Sequence, residues 1–289
     1  MNIQTSNEKL QTSAQPQVWL ITGASRGLGA SIAKAALSAG HKVVATGRNP
    51  QAVESALGGA SENLLTLQLD VTNETQAQSV VAATVERFGR IDVLVNNAGY
   101  GLFGALEECS AQEVETQFQT NVFGLLSVTR AVLPTMRKQR SGHIINLSSI
   151  GGFLGFDHAA IYCATKFAVE GISESLALEV KPFGIHISII EPGYFRTDFL
   201  ADNSVVMAAN KLDAYDQQGR DQYANHNGKQ AGDPDKLAQA LLTIAASPNP
   251  PLRLPLGTDA VGVVEGKLKS VSAELEQWRN LSISTNITE

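Results

Sequence analysis

Tyr162 and Lys166 stand four residues apart in "IYCATKFAVEG" (Ile161 to Gly171), a stretch with the composition of a helix. At that interval two side chains share one helix face and can influence each other. A free phenol loses its proton near about pH 10 and is a poor base at neutrality, but a cation close by favours the phenolate. The pair has the chemistry to move a proton. Far upstream, "TGASRGLG" (Thr22 to Gly29) follows the apolar run "VWLI" and precedes a helical pattern. Glycines at such a junction permit a tight turn, let the backbone approach a pyrophosphate and bring helix and strand together, while the helix N-terminus offers free N–H groups to the anion. Gly23, Ser25, Arg26, Gly27, Leu28 and Gly29 form this candidate cradle.

The kind of dinucleotide depends on the end of the next strand. A carboxylate about 20 residues beyond the turn would accept a ribose hydroxyl of NAD, whereas arginine suits the extra phosphate of NADP. No Asp or Glu occurs between Gly40 and Val53, and the second strand ends in "TGR" with Arg48. Arg26 lies inside the glycine turn itself. Two arginines without a carboxylate predict NADP(H) rather than NAD(H).

Positioning these residues requires a scaffold, and the hydrophobic pattern supplies one. Strand-like runs at Val18 to Ile21, Lys42 to Thr46, Leu64 to Asp70, Ile91 to Asn97, His143 to Ser149, Gly184 to Gly193 and Leu252 to Gly257 alternate with helical stretches. Such alternation predicts a doubly wound α/β fold of Rossmann type, a parallel sheet of about seven strands with helices on both faces. Ser148 and Ser149 end one of these runs. Successive strand residues point to opposite faces, so only one of the two should face a cleft at the strand's end. Asn121 interrupts an apolar helical stretch, "TNVFGLL", where a buried amide must find partners.

From 195 to 232 the pattern lapses into polar sequence without clear strands, as expected of a substrate lid inserted in the domain or of a surface loop. Asp233 and Pro234 then mark a helix start. Val264, Leu268, Val271, Leu275 and Trp278 mark one apolar face of a closing helix. Residues 1–16 are polar and expected to be disordered, leaving 17–289 as a single domain.

Composition excludes several classes. Net charge is −6 and no basic run exceeds "MRKQR", so no nucleic-acid surface is expected. No segment holds the run of about 18 apolar residues that a membrane span needs. Cys109 and Cys163 lack metal-ligand spacing, and the five histidines contain no HExxH pair, so no metal site is expected. Without a secretory signal in the polar start, the two thiols read as reduced and the protein as cytoplasmic.

Together "TGASRGLG", "NNAG" (Asn96 to Gly99), "IINLSS" (Ile144 to Ser149), "YCATK" (Tyr162 to Lys166) and "EPGYFRT" (Glu191 to Thr197) stand in one order and spacing. The chain resembles a classical short-chain dehydrogenase/reductase, particularly the hydroxysteroid-dehydrogenase-like members, strongly over Val18 to Thr197 and in outline beyond. The resemblance implies that Tyr162 is the catalytic acid/base, that Lys166 assists it and binds the nicotinamide ribose, and that Ser149, with Ser148 the adjacent alternative, binds the substrate oxygen. Asn121 would hold a water in the proton relay. Asp70 and Val71 would contact adenine, Asn97, Ala98 and Gly99 would line the cofactor, and Pro192, Gly193 and Thr197 would embrace the nicotinamide end. The family implies reversible hydride transfer between NADP(H) and a carbonyl or secondary alcohol, in a homodimer or homotetramer associating through the helices around Asn121 and Tyr162. An NADP(H)-binding redox-sensing regulator without turnover is the alternative. Phe153, Phe156, His158, Tyr194, Phe195 and Phe199 are candidates for an apolar substrate pocket.

Overall fold

The computed structural model describes residues 16–197, 199, 205–215, 223 and 228–287. Four consecutive apolar residues form β1 (Val18–Ile21), and all four are buried, because a central strand between two helical layers has no solvent face. Trp19 and Ile21 enter one core cluster with Ile32 and Val95, while Leu20 enters the other with Val44 and Leu94. The period-two alternation of a strand therefore divides one run of side chains between two cores.

Six further strands join β1: β2 (Lys42–Gly47), β3 (Leu64–Gln68), β4 (Val93–Asn96), β6 (Gly142–Leu147), β7 (Ile185–Pro192) and β9 (Arg253–Leu256). All pair in parallel, in the order β3-β2-β1-β4-β6-β7-β9. Strand order reverses between β1 and β4, which opens a crevice at the carboxyl ends of the strands. The expected doubly wound sheet of seven strands is thus present.

The α-helices whose bounds lie within the described residues are α1 (Gly27–Ser38), α2 (Pro50–Ala56), α3 (Glu74–Phe88), α4 (Ala111–Phe118), α5 (Leu125–Gln139), α6 (Ala160–Val180), α7 (Pro234–Ala245) and α8 (Thr258–Ile283). Asp233 caps α7 through the N–H groups of Asp235 and Lys236, as its sequence position predicts. The stretch expected as one helix around Asn121 is α4, a π-helical turn over Gln119–Gly124, and α5. Such bulges shift the face that a side chain presents, and they recur at functional sites.

The segment 195–232 departs from the expectation of no strand. Val205–Met207 forms β8, which pairs in parallel with β5 (Gly101–Phe103) as a separate two-stranded sheet. Residues 198, 200–204, 216–222 and 224–227 of that segment, and the polar tail up to residue 15, lie outside the described residues. Among the described residues no helix is long and apolar enough to cross a membrane.

Candidate active site

The glycine turn is built for close approach. Gly23 (φ +67°) and Gly27 (φ +55°) occupy the left-handed region that side chains disfavour. A Cβ on Gly29 would collide with the Gly23 carbonyl and the Asn97 amide. Asn97 donates from Nδ2 to the Thr22 and Gly23 carbonyls at 2.9 and 3.1 Å, and the Thr22 hydroxyl accepts the Asn97 and Ala98 N–H groups, each at 3.0 Å. The end of β4 is thereby stitched to the turn. α1 begins with no side-chain cap and no acidic residue in its first turn, which leaves its donors and positive dipole end available to an anion. These features fit a dinucleotide pyrophosphate.

A cleft of about 780 Å3 runs from this turn across the carboxyl ends of the strands. Ser25, Arg26, Leu28 and Arg48 line one end with Gly23 and Gly27, and Asp70 and Val71 lie beside them. Asp70 accepts from the Thr72 N–H at 3.0 Å and from its hydroxyl at 2.8 Å, which fixes the loop after β3. Asn97, Ala98 and Gly99 also line the cleft, Ser149, Tyr162, Lys166, Pro192 and Gly193 line the other end, and Thr197 lies against the glycine turn, its Cβ 3.7 Å from where a Cβ on Gly27 would sit. Gly29 and Asn121 stand behind the wall, both buried. The turn after β7 is tied to the start of α8, where Asp259 Oδ2 accepts the Tyr194 N–H at 2.7 Å.

Tyr162 and Lys166 lie one turn apart on α6. Lys166 is buried, its Nζ donates to the Leu147 carbonyl at 2.7 Å, and it sits 5.8 Å from the centre of the Tyr162 ring. Ser149 follows β6 and caps a short 3-10 turn, its hydroxyl accepting the Gly151 N–H at 3.0 Å. It also hydrogen-bonds the Tyr162 side chain. Ser148 also borders the cleft, but its hydroxyl lies beneath Gly152 and toward Glu170. Of the two hydroxyls, that of Ser149 is the one that meets Tyr162, in keeping with strand alternation.

The electrostatics differ from the simple expectation of a phenol acidified by an ammonium. Burial pushes the Tyr162 phenol above its ordinary value, and the Ser149 hydrogen bond offsets only part of this. Burial also lowers Lys166 to about 8, opposed by the charge of Glu170. In the protein alone, desolvation is the largest influence on the phenol.

Asn121 finds its partners in the loop after β4. Its Nδ2 donates to the Tyr100 carbonyl at 2.9 Å and to the Thr165 hydroxyl at 3.1 Å, and its Oδ1 accepts the Tyr100 N–H at 3.1 Å. The amide braces Gly99 and Tyr100 against α6.

Beneath the active site lies a charged cluster that the motifs did not reveal. Arg253 on β9 contacts Glu170 at 3.1 Å, Glu174 at 2.6 Å and Glu191 at 3.4 Å. Glu191 is almost wholly buried, and burial raises it to about 7 with help from the Glu170 charge and against that of Arg253.

Around Tyr162 the cleft is aromatic. Phe103 lies 5.7 Å from its ring centre and Phe199 6.0 Å, while Phe103 also packs 4.2 Å from Tyr223. Of the aromatic candidates, Phe156, Tyr194, Phe195 and Phe199 line the cleft, whereas Phe153 and His158 do not. Sequence reading missed Phe103 and Tyr223. Phe103 belongs to a three-residue strand whose partner is about 100 residues away, and no local pattern marks either residue. Among the described residues no cluster suited to a metal occurs.

The model of the short chain dehydrogenase family matches residues 17–205. The chain is 42% identical over 261 residues to a 3-ketodihydrosphingosine reductase of Bacteroides thetaiotaomicron, covering 89% of this chain and 93% of the relative. It is 34% identical over 293 residues to the 17-beta-hydroxysteroid dehydrogenase type 1 of Mus musculus, covering 94% and 84%. A short-chain dehydrogenase from Streptomyces avermitilis superposes with a TM-score of 0.87 at 41% identity, over 95% of this chain and all of that one. Similar folds have been solved with NAD, in a Burkholderia phymatum protein (25% identity, TM-score 0.78, 90% and 95% covered), and with NADP+, in a serine dehydrogenase (30%, 0.71, 83% and 94%). The glycine cradle, the parallel sheet and these likenesses have one explanation: the chain belongs to the short-chain dehydrogenase/reductase family of oxidoreductases.

Proposed function

We propose that the protein is an NADP(H)-dependent oxidoreductase that interconverts a carbonyl and a secondary alcohol, with Tyr162 as acid/base. The observation that supports this most is the convergence of Ser149, Tyr162 and Lys166 on the cleft that begins at the glycine turn. When bound, the nicotinamide supplies or accepts the hydride. Ser149 directs its hydroxyl at the substrate oxygen, where negative charge grows during reduction. Tyr162 gives its proton to that oxygen. A phenol held above its ordinary pKa arrives protonated, which suits a donor. Lys166, mostly charged at neutral pH, stabilises the phenolate left behind. Asn121 keeps the loop through Gly99 and Tyr100 in place beside Lys166.

Arg26 and Arg48 at the adenosine end, with no carboxylate at the end of β2, favour a 2′-phosphate and hence NADP(H). The aromatic wall of Phe103, Phe199, Tyr194 and Tyr223 suits a large apolar ketone, in keeping with the long-chain and steroid substrates in the relatives' names. Exposed Phe123, on the π-helical turn, and Phe167, on α6, support association into a homodimer or homotetramer across this helical face.

NADPH oxidation across a panel of long-chain ketones, steroid ketones, aldehydes and quinones tests the proposal. Turnover with the large apolar ketones is expected. Stoichiometric NADPH binding with no turnover across the panel would instead identify a redox-sensing regulator.

A further inference from the structure

The longest helix among the described residues, α8, leaves its apolar stripe uncovered. Of α8 only Ala260 is buried, and every residue from 268 to 287 is exposed. Its first turns meet β9 and the Ile150–Gly152 turn. Yet Val261, Val264, Leu268, Val271, Leu275 and Trp278 recur at alternating intervals of three and four residues. Leu268, Leu275 and Trp278 are each more than half exposed, at 57%, 54% and 57%. A surface helix ordinarily turns such a stripe onto its own core, and an unsupported helix is marginal in water. A mean spacing of 3.5 residues is that of a two-helix seam.

We propose that α8 pairs antiparallel with α8 of a second copy of this chain. Charges beside the seam support both the occupant and the direction. Setting Leu268 against Val271 of the second copy brings Leu275 against its Val264 and Val261 against its Trp278. Lys267 then flanks Glu274 of the second copy, and by twofold symmetry Glu274 flanks its Lys267. Glu265 and Arg279 share the opposite flank. A parallel pair would instead set Lys267 beside Ser272 and leave Glu274 with Arg279 as the attractive pair, with the two helix dipoles aligned unfavourably. The seam spans residues 261 to 278, roughly 27 Å of helix. A lipid surface is the poorer fit, because Glu265, Glu274 and Glu276 balance Lys267, Lys269 and Arg279, whereas membrane-surface helices carry a basic polar face. This pairing is independent of the proposed reaction and uses a surface apart from Phe123 and Phe167.

Sedimentation analysis of the full chain tests it, with NADPH affinity as the check on folding. Wild type should carry an even number of chains, and Leu268→Glu combined with Leu275→Glu should halve its mass while leaving the NADPH Kd unchanged. Lys267→Glu alone should weaken the association by about tenfold, since two attractive contacts become repulsive. Adding Glu274→Lys to it should restore the association. A wild type of one chain, or a mass unaffected by the leucine changes, overturns the proposal. So does a pattern in which Lys267→Glu is silent and Glu274→Lys alone disrupts, which is the parallel register. A single-chain protein that floats with vesicles of phosphatidylcholine and phosphatidylglycerol would assign the stripe to a lipid surface and overturn it equally.

Discussion

Lys166 holds its Nζ 5.8 Å from the centre of the Tyr162 ring while donating to the Leu147 carbonyl at 2.7 Å. One helical turn sets the first relationship and the end of β6 sets the second, so the cation is fixed beneath the phenol by two separate elements. In the proposed mechanism that position serves the phenolate once formed.

Tyr162→Phe removes the proposed proton donor and keeps the ring that packs on Phe103 and Phe199. NADPH affinity should stay within about twofold while kcat falls by roughly 100- to 10,000-fold. Titration of NADPH and a turnover assay check this, and retention of most activity would remove Tyr162 from the role.

Lys166 has a lowered pKa, about 8 against an unfolded value of 10.5, so the unfolded chain binds more protons between those two values. Its burial therefore carries a stability cost; the cost is full below about pH 8 and disappears as the pH rises toward 10.5. The cost is at most about 3 kcal/mol. Lys166→Met should be more stable than wild type at pH 7 by about 1–3 kcal/mol, with the gain shrinking as the pH rises through 8 to 10, and should lose turnover. Urea unfolding at pH 7 and pH 9.5 reads this out. A variant less stable than wild type at pH 7 would contradict it.

Arg48→Ala should weaken NADPH binding by about 10- to 100-fold, the worth of a charge-assisted hydrogen bond, and leave NADH binding unchanged. Arg26→Ala should act in the same direction. Equal Kd values for the two cofactors in the wild type would refute the NADP(H) assignment.

Arg253→Met leaves Glu170 and the buried Glu191 without their cation. Stability should fall by about 3 kcal/mol. Glu191 already has a raised pKa, and loss of Arg253 raises it further, so the native state binds more protons than the unfolded chain over a wider range. The loss should therefore be greater at pH 8 than at pH 5.5, and thermal melts at those two values measure it. A loss that is independent of pH would mean that the carboxylates stay charged throughout.

The amino-acid sequence by itself determined the doubly wound sheet, the glycine turn at its first crossover and the face that Tyr162 and Lys166 share. These depend on periodicity and on spacings of a few residues, which the chain carries locally. Tertiary structure decided what local spacing cannot encode. It put a π-helical turn at Asn121 so that its amide meets Tyr100, paired β5 with β8 across about 100 residues at Phe103, beside the phenol, and packed Tyr223 on Phe103. It also determined that burial governs the pKa of Tyr162 and Lys166, and that the stripe on α8 faces away from its own core. Desolvation and packing depend on which distant segments arrive at a site, and only the folded chain specifies that.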